Sequence, residues 1–136
     1  MPAGDLEAGA QIARVLQQAR FTPPDAEALA TTRKEPPRRT LALLALLVER
    51  GDVVRITDRI WMHRDAVEES KQIALKLFRA APTFSTMAFR DALGVSRKFA
   101  VPLVDYLDRI RFTARSGNQR RPGSEAKKLL EPVVTP

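Results

Sequence analysis

A cluster of basic side chains in the second half of the chain is the strongest candidate for chemistry in this sequence. Between Arg97 and Lys128 the chain has nine lysine and arginine residues but three acids. Guanidinium groups bind phosphate oxygens through paired hydrogen bonds, and a helix N-terminus adds backbone N–H donors. The basic residues at the start of the predicted third helix and on the hairpin after it are Arg97, Lys98, Arg115, Arg120 and Arg121. This arrangement predicts a site for a polyanion, and we expect nucleic acid.

The distribution of charge supports this interpretation. The 136 residues have a formal net charge of +7 and a pI near 10.5. Residues 1–64 hold ten basic and eight acidic side chains, a net of +2, whereas residues 65–136 hold thirteen and eight, a net of +5. Because a strongly basic domain attracts polyanions, we expect the second half to be the part that binds.

Other chemistries find little support in the residues. No G-x-x-x-x-G-K-[ST] or G-x-G-x-x-G motif for nucleotide phosphates occurs. The chain has no cysteine, and His63 is its single histidine, which we interpret as a hairpin residue. Asp105 and Asp108 have a spacing that could serve acid–base chemistry, but we interpret them as solvated partners of Arg109 or Lys98. We therefore predict no catalytic residues, no metal site and no cofactor.

The sequence also contains no recognisable membrane or export signal. The longest apolar run, Leu41 to Val48, is too short to span a bilayer. The first residues have neither the basic start nor the apolar stretch of a signal peptide. The lack of cysteine fits a reducing compartment. We expect a monomeric cytoplasmic protein that does not contact a membrane.

The order of predicted elements repeats along the chain. The stretch from Gln11 to Leu16 reappears as Gln72 to Leu77, an offset of 61 residues. Each half then has a short second helix, a longer apolar third helix and a short β-hairpin. The predicted fold class is mostly α with short β-hairpins, an α+β fold, arranged as two tandem winged-helix (helix-turn-helix) domains. We place the domains at residues 1–64 and 65–136.

The second half gives the clearest pattern. We predict a first helix over residues 66–80 and a short second helix that Ser85 or Thr86 caps and Gly94 ends. Ser96 is the predicted N-cap of the third helix, whose apolar residues have the spacing of one buried stripe. Gly117-Asn118 predicts the hairpin turn. Pro102 falls inside the third helix, so we expect this helix either to begin later or to bend.

The first half follows the same order with a longer turn. We predict a first helix over residues 5–19, a second helix that Pro24 opens, and a third helix over residues 41–49 that Gly51 ends. Residues 31–39 are interpreted as a stiff connecting turn. Its Arg38-Arg39 pair has two equally supported interpretations, a phosphate contact or a solubilising flank. Trp61 in the first hairpin is interpreted as a core residue rather than a base-stacking platform.

Residues 89–120 resemble the last winged-helix domain of the bacterial selenocysteine-specific elongation factor (SelB) family. The matching motifs are Phe89-Arg90-Asp91, Ser96-Arg97-Lys98-Phe99-Ala100, Tyr106-Leu107-Asp108 and Phe112-Thr113-x-Arg115. The helix start, the helix end and the hairpin all fit together. The first half resembles the preceding winged helix of that family in position and architecture alone.

The resemblance implies that this chain is the C-terminal part of a longer factor. In that family the last of four winged helices binds the apical loop of an mRNA hairpin, the selenocysteine insertion element (SECIS), for UGA decoding on the ribosome. The GTPase half that carries selenocysteinyl-tRNA is absent here. The predicted partners are therefore the mRNA hairpin loop and, through the longer factor, the ribosome. The predicted RNA-binding residues are Arg90, Ser96, Arg97, Lys98, Arg115, Asn118, Arg120 and Arg121.

Two other functions remain open from the sequence. The same fold serves DNA-binding transcription regulators, in which a helix enters the major groove. It also serves as a module that docks on a ribosome or another protein without binding nucleic acid.

A-form RNA hides its base edges in a deep and narrow major groove, so a protein that reads RNA sequence contacts splayed loop bases.

Overall fold

The computed structural model describes residues 3–131, and the chain divides into two compact units between Glu68 and Glu69. Both units combine several helices with a small antiparallel sheet, so the fold is mostly α with short β segments, as predicted. Within residues 3–131, no helix is long and apolar enough to cross a bilayer.

The first unit consists of three helices followed by a β-hairpin. Its elements are α1 (Ala3–Ala19), α2 (Ala26–Arg33), α3 (Pro37–Arg50), β1 (Val53–Arg55) and β2 (Trp61–His63). The two strands pair antiparallel, with Val53 opposite His63. Ile12 and Leu16 of α1 pack with leucines of α3 and with Trp61, whose exposed fraction is 6%. The interpretation of Trp61 as a core residue is therefore confirmed.

All three helices of the first unit begin at residues other than those predicted, and α1 begins at Ala3 rather than at residue 5. The α2 helix begins at Ala26, because the Asp25 side chain rather than Pro24 caps it, accepting a hydrogen bond from a backbone amide at 2.8 Å. The α3 helix begins at Pro37, four residues before the predicted start. Proline fits this position since the first helical residue needs no N–H partner. The predicted long turn over residues 31–39 is therefore wrong, and the connection spans only residues 34–36.

The second unit adds a short third strand and a last helix to the same sequence of elements. The elements are α4 (Arg64–Ala80), whose residues up to Glu68 fall in the first unit, β3 (Phe84–Ser85), α5 (Thr86–Leu93), α6 (Arg97–Arg109), β4 (Thr113–Ser116), β5 (Gln119–Pro122) and α7 (Ser124–Leu130). The strand order is β3-β5-β4, and both pairings are antiparallel. In this register Arg120 lies opposite Phe84 on one side and Arg115 on the other.

The core of the second unit forms where α5 and α6 pack on the sheet. Phe89, Leu103 and Leu107 are fully buried. The ring of Phe84 lies 5.6 Å from that of Phe89 and 4.6 Å from that of Phe78. These aromatic contacts join β3 to α4 and α5 and fix the position of the β3 strand, and through it the sheet, against the helices.

The turns that frame α5 and α6 follow the predicted chemistry in most respects. The hydroxyl of Ser85 caps α5 by accepting a hydrogen bond from the Ala88 amide at 3.0 Å, and Gly94 ends α5 with a φ of 73°. Ser96 occupies the N-cap position of α6, but its side chain makes no capping hydrogen bond. The helix is continuous from Arg97 to Arg109 and contains Pro102, so the expected later start is wrong.

The junction between β5 and α7 depends on one glycine. Gly123 donates to the Phe112 carbonyl at 3.0 Å, and the amide of Glu125 donates to the Arg111 carbonyl at 3.0 Å. A Cβ atom on Gly123 would lie 2.2 Å from that Arg111 oxygen, far inside van der Waals contact. Gly123 is therefore required by a close approach of two backbone segments.

Candidate nucleic-acid interface

A groove of about 570 Å³ opens in the second unit between α5, α6 and the β4–β5 hairpin. Its arginines come from four different elements of this unit. We call this surface the basic groove, and its lining residues are Ser85, Thr86, Met87, Arg90, Arg97, Val101, Asp105, Arg115, Asn118, Gln119 and Arg120. The fold thus brings together side chains that are up to 35 positions apart in the sequence, Ser85 and Arg120 being the extremes.

Five of the eight predicted RNA-binding residues line the basic groove, and three lie outside its lining. Those in the lining are Arg90, Arg97, Arg115, Asn118 and Arg120. Those outside are Ser96, Lys98 and Arg121, all of them exposed. The Lys98 ammonium lies 5.2 Å from the centre of the Phe99 ring. Because side chains alternate along a strand, Arg121 projects from the opposite face of β5 to Arg120.

Two arginines in the basic groove have guanidinium groups that can meet an anion. Arg97 is exposed in the first turn of α6, and no carboxylate within residues 3–131 pairs with it. Arg115 is exposed on β4, and its Nε donates to the Gly117 carbonyl at 3.0 Å, a contact that does not use its two terminal amino groups. Arg90 is half-buried and pairs with Asp91 at 3.1 Å. Its capacity to bind a phosphate is therefore shared with that carboxylate.

Arg120 differs from the other arginines because it is buried, with 2% of its surface exposed. Its Nη2 lies 3.1 Å from carboxylate oxygens of both Asp105 and Asp108, and its Nη1 donates to the Thr86 hydroxyl at 2.8 Å. Arg120 is among the predicted RNA-binding residues, yet its guanidinium is buried rather than open to a ligand. Both carboxylates pair with the Arg120 guanidinium, a partner that the prediction did not include.

The prediction did not include the apolar part of the groove. Met87 on α5 is 61% exposed, and Val101 on α6 also lines the basic groove. Thioether and aliphatic groups give a surface on which a base or a sugar can pack. The sequence contained a signal for Met87. Phe89 and Leu93 form the buried face of α5, and Met87, two residues before Phe89, lies on another side of that helix.

The first unit also has a groove between its third helix and its hairpin, with different chemistry. Its volume is about 460 Å³, and its lining is Leu41, Ala45, Val48, Arg55, Asp58 and Trp61. One basic and one acidic side chain give this lining no net charge. This surface therefore lacks the concentration of positive charge that attracts a polyanion.

The Arg38-Arg39 pair and His63, which the sequence analysis singled out in the first unit, differ in their surroundings. Arg39 pairs with Asp5 at 3.1 Å and with Glu35 at 3.2 Å, whereas Arg38 is exposed. His63 is buried, and its Nδ1 accepts a hydrogen bond from the Asp65 amide at 3.0 Å. In the described part of the chain, no three His, Asp or Glu side chains group as metal ligands would.

The second unit belongs to a recognisable structural class. Three helices, a β-hairpin and a basic groove between the third helix and that hairpin define a winged helix. Its similarity to known proteins is more specific. Residues 76–121 match the family model described as the winged helix of elongation factor SelB. This model is that of a winged helix and not of a GTPase domain, which agrees with the prediction that this chain is not an enzyme.

Two curated proteins extend the similarity beyond that segment. The selenocysteine-specific elongation factor of Desulfomicrobium baculatum is 26% identical over 104 residues, which are 76% of this chain and 16% of that protein. The selenocysteine-specific elongation factor of Escherichia coli (strain K12) is 33% identical over 70 residues, which are 52% of this chain and 11% of that protein. The chain therefore spans less than a fifth of the length of these relatives.

Two solved structures share the fold. The structure of the mRNA-binding domain of elongation factor SelB from E. coli, in complex with SECIS RNA, superposes with a TM-score of 0.76 at 25% identity and covers 90% of this chain and all of that one. The crystal structure of bacterial selenocysteine-specific elongation factor EF-Sec gives a TM-score of 0.64 at 23% identity, covering 89% of this chain and 19% of that one. The resemblance to the C-terminal winged helices of SelB is confirmed.

Proposed function

We propose that this chain is the C-terminal part of a selenocysteine-specific elongation factor, and that its second unit binds the loop of an mRNA hairpin of the SECIS type. The observation that carries the proposal is the basic groove, which lies between the start of α6 and the β4–β5 hairpin in a unit that matches the SelB winged helix. The similar E. coli domain forms a complex with SECIS RNA, which supports this choice of ligand. Binding would tether the factor to the message for UGA decoding.

The shape and charge of the groove suit a hairpin loop better than a duplex. Arg97 and Arg115 offer two guanidinium groups to phosphates on either side of the groove. The first turn of α6 adds backbone N–H groups, and the Ser96 hydroxyl, which makes no capping bond, can donate to the same phosphate. Asn118, exposed in the hairpin turn, can hydrogen-bond an extruded base. Met87 gives such a base an apolar surface.

Of the remaining predicted residues, three contribute to RNA binding in this proposal and one does not. Lys98 and Arg121 are exposed outside the groove, where they would attract the flanking phosphates of the stem at longer range. Arg90 would contribute once its pairing with Asp91 is exchanged for a phosphate. Arg120 is buried, and we therefore assign it no phosphate contact.

We also propose that the two units are tandem winged-helix domains, close to the predicted ranges 1–64 and 65–136. The repeated order of three helices and a hairpin supports this arrangement. We assign RNA binding to the second unit, since the lining of the first unit's groove has no net charge. The chain would act as a cytoplasmic monomer and would reach the ribosome as part of the longer factor.

A comparison of three ligands in one filter-binding series tests the function. The ligands are a short SECIS-type RNA hairpin, its duplex stem without the loop, and duplex DNA of the same length. We expect the hairpin to bind at least about tenfold more tightly than either duplex, because each of the latter offers phosphates but no splayed bases. A preference for duplex DNA would instead support a transcription regulator. Absence of binding to all three at low salt would support a protein-docking module.

A further inference from the structure

We propose that Arg120 is a positioning residue, which fixes the hairpin of the basic groove against α5 and α6 and does not itself neutralise an RNA phosphate. This inference rests on the proposed function of the second unit. The Arg120 network consists of the Arg120 guanidinium, the carboxylates of Asp105 and Asp108, and the hydroxyls of Thr86 and Thr113.

The geometry of the Arg120 network links both helices and both hairpin strands that line the basic groove. The guanidinium on β5 contacts Asp105 and Asp108 on α6 and Thr86 at the start of α5. Thr113 on β4 donates to Asp108 as well. The planar group has N–H donors pointing in several fixed directions, so one side chain satisfies acceptors on two helices at the same time.

The charge balance of the Arg120 network excludes a role as an open anion site. One guanidinium faces two carboxylates, so the three groups together carry a net charge of −1. With 2% of its surface exposed, Arg120 presents almost none of that guanidinium to a ligand. A phosphate that approached it would also meet the Asp105 carboxylate, which is 44% exposed in the groove lining. Repulsion between these like charges opposes the contact.

The RNA-facing arginines depend on the same elements. Arg115 lies directly opposite Arg120 in the β4–β5 register, and Arg97 lies eight residues before Asp105 on α6. A hairpin that is no longer held at β5 would let the separation of Arg115 and Arg97 vary. Preorganised groups bind more tightly than groups that must be ordered on binding. Loss of the network should therefore weaken binding although every phosphate-binding side chain is still present.

The salt dependence of binding separates positioning from direct contact. The Arg120→Lys variant of the full chain keeps the charge but loses the planar fork of donors. We expect it to bind a SECIS-type RNA hairpin at least about tenfold more weakly, with an unchanged slope of log affinity against log salt. Arg115→Gln, measured beside it, should reduce the slope by about 0.7–0.9. A similar reduction for an Arg120 variant would overturn the proposal, as would parent-like binding by Arg120→Lys. Weak binding of the hairpin by the parent chain would instead refute the proposed function.

A second variant keeps the proposal testable if Arg120→Lys does not fold. Asp108→Asn removes one negative charge near an RNA site, and Asp108 does not line the groove. Electrostatics alone predict tighter RNA binding by this variant, whereas loss of the Arg120 network predicts binding weakened by about fivefold or more. The matched control is Asp91→Asn, which removes the same charge from the pair that the exposed Asp91 makes with the half-buried Arg90 and should bind equally or more tightly. If Asp108→Asn also binds as tightly as the parent, the positioning role is refuted.

Discussion

Replacing Arg97 and Arg115 by glutamine tests directly whether the basic groove contacts RNA phosphates. Both side chains are exposed in the groove, and no carboxylate within residues 3–131 pairs with either. Each phosphate contact contributes about 0.7–0.9 to the slope of log affinity against log salt, because neutralising a phosphate releases counterions. One substitution should thus lower the slope by this amount. The double variant should lower it by about 1.4–1.8 if the two contacts are independent.

The same contribution sets the expected loss of affinity. If the electrostatic contribution is taken as zero near 1 M salt, one lost contact costs about five- to eightfold in affinity at 0.1 M salt, or about 1 kcal/mol. A bidentate contact to a base edge would cost more, about 1–3 kcal/mol, and would change the preference among hairpins. Uniform weakening across hairpins therefore identifies a phosphate contact.

The assay is filter binding of the full chain to one RNA hairpin at KCl concentrations from about 50 to about 400 mM, a range in which the slope of log affinity against log salt can be measured. Arg14→Gln and Arg55→Gln are matched controls, since both are exposed arginines of the first unit. We expect the controls to leave slope and affinity nearly unchanged. If Arg14→Gln lowered the slope while the Arg97 and Arg115 variants bound like the parent, the site would be on the first unit and our reasoning would be refuted.

Three further predictions concern the elements that hold the groove. Gly123→Ala should lower the free energy of unfolding, measured by urea denaturation, by about 2–4 kcal/mol, because the new Cβ overpacks the Arg111 backbone and breaks hydrogen bonds there. Gly117→Ala should lower it by about 1 kcal/mol only, because alanine is strained at this positive φ but its Cβ would meet no neighbouring atom. Ser85→Ala should cost about 1 kcal/mol in the same titration, because it removes the N-cap of α5; a neutral result would contradict the cap. A hydrogen bond from Lys128 lowers the pKa of Glu125, so its stabilisation is present above the ordinary value of 4.5 and is lost as the pH falls through the lowered value. The stabilities of the parent and of Glu125→Gln should therefore converge in acid, and a gap that persisted at low pH would refute this pairing.

Local sequence patterns were sufficient to predict most of the second unit. Gly94 tolerates the left-handed conformation that ends α5, and Gly117-Asn118 forms the turn between β4 and β5. The apolar stripe of α6 has the spacing of a buried helix face, and its residues are buried in the structure. Each of these features is determined by neighbours within about four positions, which is the range over which such patterns carry information.

The role of Arg120 could not be predicted in this way, because it depends on pairing between distant segments. In the sequence Arg120 and Arg121 are equivalent neighbours on a basic strand. The two-residue strand β3 is too short to give a pattern, yet its pairing sets the buried Phe84 opposite Arg120, so both side chains lie on the buried face of the sheet. Alternation along the strand then buries one arginine and exposes the other. The two aspartates were assigned to local partners for the same reason.

The prolines of the first unit show a different limit of sequence patterns. Residues 31–39, which contain Pro36 and Pro37, were interpreted as a stiff turn. The structure uses Pro37 as the first residue of α3, where a missing N–H costs nothing. Pro102 was expected either to delay the start of α6 or to bend the helix, and the later start is wrong because α6 begins at Arg97. For Pro37, the position within the helix decides what the missing N–H costs.

The two grooves indicate how one arrangement of elements can differ in function. In both units a groove lies between the third helix and the hairpin, so the backbone alone does not select a ligand. The side chains do. On α3, Leu41 and Val48 line the groove of the first unit, whereas on α6 Arg97 begins the corresponding helix and Val101 follows one turn later. Counterion release therefore favours a polyanion at the second groove and gives no such advantage at the first.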